Sequence, residues 1–143
     1  MPNAKTVADA ANRLYKQKDE DALEVLIGMR EKAIDANPAL KDFETMGGLD
    51  ELKAMGRRIL NRWNKELYGV VCGGKSGDQK DRKAVLDSLN LGETAVIAAV
   101  ASALLTLGVY AAIAAALAPL IVKRFIWPAK DELCAAWGEG VKE

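Results

Sequence analysis

The chain has 143 residues, with 20 basic and 20 acidic side chains and no histidine. Half of the residues are apolar and 28% are charged, which is the composition of a folded domain and excludes a disordered chain. The zero net charge gives no global attraction to nucleic acid, and the lack of histidine removes the commonest general base and metal ligand. We therefore expect one domain over residues 1–143 that is not an enzyme and binds no cofactor.

The first half of the chain consists of predicted helices. Apolar residues recur every three or four positions from about Thr6, after Asp19 and from about Leu49, which is the spacing of amphipathic helices. Thr6 is placed to cap the first helix, either Asp19 or Asp21 to begin the second, and Gly69 to end the third. The acidic residues of segment 19–24 are interpreted as the charges of a helix N-terminus. Because no segment alternates as a half-buried strand would, the sequence predicts an all-α compact bundle of six to seven helices.

The third predicted helix has a basic face formed by Arg58, Arg62 and Lys65. These residues are four and three positions apart and therefore lie on one side of the helix. Residues 53–83 hold nine basic and three acidic side chains, whereas residues 1–52 hold seven and eleven. Separate basic and acidic surfaces favour a protein partner, and the three residues are our candidate partner-binding site. The alternatives are a solvated face balanced by the acidic first third, or a phosphate-contacting stripe for nucleic acid or anionic lipid.

The segment Gly69–Ser76, GVVCGGKS, matches the phosphate-loop pattern at every fixed position. A phosphate loop has to connect a buried strand to the N-terminus of a helix. The residues before Gly69 instead show the pattern of an amphipathic helix. We interpret the segment as a turn, and nucleotide binding through Lys75 and Ser76 is a remote alternative.

The stretch from Thr94 to Val122 has 29 residues without a charge, and 11 of them are alanine. As one helix it would be long enough to cross a bilayer. Its large side chains change face at Gly108, however, so we predict two helices, Thr94–Leu107 and Val109–Ile126, that form a central hydrophobic hairpin at about 93–126. The alternative is a membrane-anchored or membrane-inserting, pore-forming effector that uses residues 94–122.

The C-terminal segment is predicted to begin a last helix at Pro128, with Leu133, Cys134 and Trp137 packed on the bundle. Cys72 and Cys134 are too few for a disulfide scaffold or a zinc site. The first residues lack the apolar core of a signal peptide. We therefore expect a cytoplasmic protein whose two thiols are buried and inert, with association to the inner membrane as the alternative.

The favoured function is a non-catalytic helical module for protein interaction, assembly or regulation. No set of residues in the sequence converges on a reaction, and no metal or small-molecule substrate is inferred. The expected partner is another protein or a second copy of the chain, and nucleic acid is not favoured. Membrane contact belongs to the alternative interpretation of residues 94–122.

Overall fold

The computed structural model of the protein describes residues 4–36, 49–72, 79–129 and 132–141. Within these ranges the chain is helical and has no strand, which confirms the predicted all-α bundle. The α-helices are α1 (Ala4–Gln17), α2 (Glu20–Ala36), α3 (Leu49–Val71), α4 (Gln79–Ser88), α5 (Glu93–Thr106), α6 (Ala111–Ile121) and α7 (Leu133–Val141). A π-helical turn, Val122–Ile126, continues directly from α6.

The central element of the bundle is α6. Every residue from Ile113 to Ile121 is buried, and α1, α2 and α5 pack around the helix. A helix that is enclosed on all sides needs no polar face, which explains why this part of the chain has no charge. Its alanines leave room for the neighbouring backbones to approach closely.

The uncharged stretch divides at Gly108, as the sequence predicted. α5 ends at Thr106 and α6 begins at Ala111, and Gly108 has a φ of +100°, a conformation that favours glycine. The predicted hairpin is confirmed, and the alternative of one continuous helix over residues 94–122 is wrong. Pro119 lies inside α6 and does not end it. None of the helices in the described ranges is both long and apolar enough to cross a membrane.

α2 and α3 pack against each other as closely as glycine permits. A β-carbon added to Gly28 would lie 2.1 Å from the carbonyl oxygen of Leu52, and one added to Gly56 would lie 1.9 Å from that of Glu24. The two contacts are one helical turn apart on each antiparallel helix. Glycine inside a helix costs about 1 kcal/mol relative to alanine, and the close approach of the backbones accounts for both glycines.

Of the two residues predicted to begin the second helix, Asp19 caps α2, because its Oδ1 accepts a hydrogen bond of 2.8 Å from the backbone N–H of Ala22. Asp21 lies within the first turn of α2. The predicted cap of the first helix is wrong, since α1 begins at Ala4 and Thr6 lies within its first turn. The last helix also begins later than predicted. Pro128 belongs to the turn that follows the π-helical turn, and α7 begins at Leu133.

The third helix is longer than predicted, because α3 continues through Gly69 to Val71. Val70 and Val71 are buried, and this packing extends the helix beyond the glycine. The segment that matches a phosphate loop is thus preceded by a helix and not by a strand. Residues 73–78, with Lys75 and Ser76, lie outside the described residues.

Candidate functional site

The basic face of α3, formed by Arg58, Arg62 and Lys65, is exposed to solvent. Leu60 of the same helix is fully buried, so the helix turns its apolar side inward and these cations outward. The Arg62 guanidinium lies over the ring of Trp63, with its Cζ 4.8 Å from the ring centroid. Within the described ranges, none of the three cations forms an ion pair.

The acidic residues at the start of α2 have partners within the same chain and do not balance this basic face. Glu20 accepts a hydrogen bond of 2.5 Å from Nε of Arg124, and Asp21 lies 3.1 Å from Nζ of Lys53. The side chain of Asp19 caps α2. Lys53 belongs to α3, so the basic residues of this helix divide into a set that faces α2 and a set that faces solvent.

A buried carboxylate joins α2, α3 and the π-helical turn. Glu24 has no exposed surface, and its carboxylate accepts hydrogen bonds of 2.8 Å from Nη1 of Arg124 and 3.2 Å from Nε of Arg57. Burial by itself would raise the pKa of Glu24, but the hydrogen bonds and positive charges of the two arginines outweigh it and lower the pKa. The carboxylate is therefore ionised at neutral pH and acts as a structural ion pair.

The π-helical turn directs two consecutive cations to different elements. Lys123 donates hydrogen bonds of 2.9 Å to the carbonyls of Tyr15 and Lys18, at the C-terminal end of α1, whose last carbonyls have no partner within the helix. Arg124 reaches α2 instead. A cleft of about 400 Å³ beside the turn is lined by Asp19, Glu20, Asp21, Lys123 and Arg124. Each of these five side chains already has a partner within the protein.

A hydrogen bond between side chains attaches α1 to α5. The hydroxyl of Tyr15 donates a hydrogen bond to the carboxylate of Glu93, and the ammonium group of Lys123 lies 4.7 Å from the centroid of the Tyr15 ring. Burial raises the pKa of Tyr15, and the nearby Glu93 carboxylate raises it further. The phenol thus stays protonated at neutral pH, which makes it unsuited to act as a base or a nucleophile.

Cys72 and Cys134 form a disulfide that joins the end of α3 to α7, with 5.6 Å between their Cα atoms. The prediction of two buried, inert thiols is wrong, since the thiols are bonded to each other, Cys72 is half-buried and Cys134 is exposed. The two positions are 62 residues apart, and the sequence gives no signal that α7 returns to this end of α3. Leu133 and Trp137 are buried in the bundle, as predicted.

The described part of the chain contains no group of three or more acidic or cysteine side chains that could hold a metal ion. The three predicted site residues share one exposed face, and the cluster around Glu24 is the polar centre that the sequence did not reveal. Comparison with known proteins finds no matching family model, no matching curated protein and no matching solved structure.

Proposed function

We propose that the protein is a non-catalytic interaction module that docks an acidic surface of a partner protein on the basic face of α3. The main support is the contrast within this one helix. Lys53 and Arg57 pair with carboxylates of α2, whereas Arg58, Arg62 and Lys65 are exposed and have no ion pair within the described residues. Such exposed charges attract an oppositely charged partner and fix its orientation.

The dimensions of the basic face favour a protein partner over a nucleic acid. Arg58 and Lys65 are seven residues apart, which is about 10 Å along a helix. Three cations over this length match a short acidic segment, whereas a typical DNA-binding protein neutralises about 6–10 phosphates. The zero net charge of the chain adds no long-range attraction to a polyanion.

The proposal can be tested with a photoreactive amino acid at Asn61, an exposed position between Arg58 and Arg62. Irradiation in cells of the source organism is expected to give one discrete protein adduct, with the cross-link in an acidic segment of the partner. The triple variant Arg58→Glu, Arg62→Glu and Lys65→Glu is expected to lose this adduct because the charges then repel. Lys83→Glu on α4 is the matched control, since Lys83 is also exposed.

Two results would reject this docking site. The first is an adduct at Asn61 that survives the triple charge reversal, since binding would then not depend on the basic face. The second is a cross-link to nucleic acid, with an affinity that falls steeply as salt rises. A triple variant that loses its helical circular dichroism would be replaced by the three single variants.

A second candidate function is triggered insertion of the α5–α6 hairpin into lipid. The supporting observation is the connection between these two helices, where Gly108 is exposed and Tyr110 is 64% exposed. An aromatic side chain at the tip of an uncharged hairpin is suited to the membrane interface. The hairpin itself is buried among the other helices, so insertion would require the bundle to open.

Dye release from vesicles of anionic phospholipid tests this second candidate. If the tip inserts, the protein releases dye and Tyr110→Asp releases several-fold less, because a carboxylate opposes entry into lipid. Leu91→Asp is the matched control, because Leu91 is 76% exposed and precedes α5, at the end of this helix opposite the tip. Equal losses in the two variants, or no release by the unmodified protein at neutral and acidic pH, would reject insertion through the tip.

A further inference from the structure

α7 is a short helix of nine residues that packs mainly on α3 and the π-helical turn. Its fully buried anchor is Trp137, whose Nε1 donates a hydrogen bond of 2.6 Å to Oδ1 of Asn64. The ring of Tyr68 meets Trp137 edge to face at 5.5 Å, and the Tyr68 hydroxyl donates to the carbonyl of Cys134 at 3.2 Å. The disulfide is the covalent connection between this helix and α3.

The disulfide lies at the surface, while the apolar anchor of α7 lies inside. Cys134 is exposed and Cys72 is half-buried, whereas Trp137 is fully buried. Thiol–disulfide exchange requires a thiolate to reach a sulfur atom, so accessible disulfides are the labile and regulatory ones. We propose that the Cys72–Cys134 bond is a site of thiol–disulfide exchange with a dithiol reductant, and that its reduction releases α7 from α3.

The exchange proceeds in two balanced steps. A thiolate of the reductant attacks Sγ of Cys134, a mixed disulfide forms, and Cys72 leaves as a thiolate that takes up a proton. The second thiolate of the reductant then attacks its own sulfur in the mixed disulfide, and Cys134 leaves as the second thiolate and is protonated. Two electrons pass to the protein, which holds two thiols at the end, and the reductant becomes a disulfide.

Reduction changes the surface of α3. A nine-residue helix is not stable by itself, so α7 then depends on the contacts of Leu133 and Trp137 to stay in place. When α7 opens, Asn64 and Tyr68 lose their partners and become accessible on α3. Tyr68 lies three residues after Lys65, which makes the two residues neighbours on the helix surface, so the newly accessible surface lies beside the basic face. The proposed exchange does not depend on the docking function assigned to that face.

Hydrogen exchange of the full chain before and after treatment with dithiothreitol tests the inference. We expect both cysteines to be alkylated in the native protein after treatment and neither to be alkylated before it. Amide protection in residues 133–141 is expected to fall by about tenfold or more beyond the fall in α1 and α6, because the core helices lose only the protection that the lower global stability of the reduced protein removes. The variant with Cys72→Ser and Cys134→Ser should show the low protection of α7 without dithiothreitol and should not respond to it.

Three results would overturn the inference. Cysteines that react only after addition of urea would show that the bond is inaccessible in the native fold. Unchanged protection of α7 in the reduced protein would show that the contacts of Leu133 and Trp137 hold the helix without the disulfide. An equal loss of protection in α7, α1 and α6 would show that the bond supports the whole bundle and does not control α7.

Discussion

Gly56 of α3 lies directly against the backbone of Glu24 in α2, so that a β-carbon at position 56 would be 1.9 Å from the Glu24 carbonyl oxygen. The side chain of the same Glu24 is the buried carboxylate that binds Arg57 and Arg124. Glu24 thus takes part in both features: its backbone contacts Gly56, and its side chain forms the buried ion pair. The lack of a β-carbon at Gly56 allows the approach. Arg57, the next residue of α3, donates a hydrogen bond to the Glu24 carboxylate.

The first prediction concerns this close approach. In an open helix interior, replacing glycine with alanine stabilises a protein by up to about 1 kcal/mol. Gly56→Ala is expected to do the opposite and lower the free energy of unfolding by about 1–3 kcal/mol, because the new methyl group forces α2 and α3 apart. Urea unfolding followed by circular dichroism measures the change.

The control is Ala54→Gly, at an exposed position of α3, which should cost about 1 kcal/mol by helix propensity alone. A more stable Gly56→Ala protein would contradict the close approach.

The second prediction concerns the charge of Glu24. Replacing it with glutamine leaves Arg57 and Arg124 without their buried partner and should lower the free energy of unfolding by about 3 kcal/mol at pH 7. Because the pKa of Glu24 is lowered in the folded protein, this stabilisation is present above the unfolded pKa of about 4.3 and is lost as the pH falls further. Urea midpoints at pH 7, 5 and 3 should therefore converge for the two proteins at acidic pH.

The exposed pair of Lys53 and Asp21 provides the control for this experiment. The side chain of Asp21 is 72% exposed, so Asp21→Asn should change the free energy of unfolding by less than about 1 kcal/mol at any of these pH values. If Glu24→Gln behaved in the same way as Asp21→Asn, the buried carboxylate would have no special role in stability.

The third prediction concerns the hydrogen bond between Asn64 and Trp137, which are both buried. Asn64→Leu leaves the indole N–H without a partner and should cost about 1–3 kcal/mol, and Trp137→Phe removes the donor and leaves the amide of Asn64 unsatisfied. The double variant should therefore cost less than the sum of the single variants, by about 1 kcal/mol. Costs that add to within about 0.5 kcal/mol would show that the two side chains are not coupled.

The fourth prediction concerns the corner of the hairpin. Gly108 has a φ of +100°, and no atom lies near the site that a β-carbon would take, so alanine would meet backbone strain and no steric clash. Gly108→Ala should lower the free energy of unfolding by about 1–2 kcal/mol. Gly92 has a φ of +110° and equally open space, so Gly92→Ala should lower the free energy of unfolding by a similar amount. The control is Asn90→Ala, on the exposed turn nearby, which should be almost neutral. No effect at Gly108 would mean that the corner has another conformation.

The fifth prediction concerns the stability that the disulfide provides. Closing a loop of 62 residues removes conformational entropy from the unfolded chain and should stabilise the protein by about 4 kcal/mol. Cys134→Ser and the double variant with Cys72→Ser should show the same loss, because either change removes the bond. Unfolding by urea without reductant measures both. Dithiothreitol should lower the stability of the unmodified protein to the level of the variants and leave the variants unchanged.

The hairpin and the basic face could be predicted from the sequence because their signals are local. Gly108 and the change of apolar face around it lie within one segment, and the spacing of Arg58, Arg62 and Lys65 places them on one side of a helix whatever the helix packs against. The same local reasoning put the end of α3 at Gly69, which is wrong because the burial of Val70 and Val71 extends the helix.

The ion pairs and the disulfide could not be predicted, because they depend on which helices meet. Arg57 and Arg58 are adjacent and chemically identical, yet only Arg57 reaches the buried Glu24, since one residue along a helix is a rotation of about 100°. The sequence shows that both are basic, but it does not show which of them faces α2. Likewise, Cys72 and Cys134 meet only because α7 packs on the end of α3.

The sulfur–sulfur bond also determines how the chain responds to mechanical load. Tension applied between α1 and the C-terminal end passes from Cys72 directly to Cys134 and bypasses the 61 residues between them. About 200–220 Å of potential extension is thereby withheld until the bond is cut. In the oxidised protein the α5–α6 hairpin therefore bears no pulling force. It can leave the bundle only as part of a closed loop whose two ends stay joined at Cys72 and Cys134.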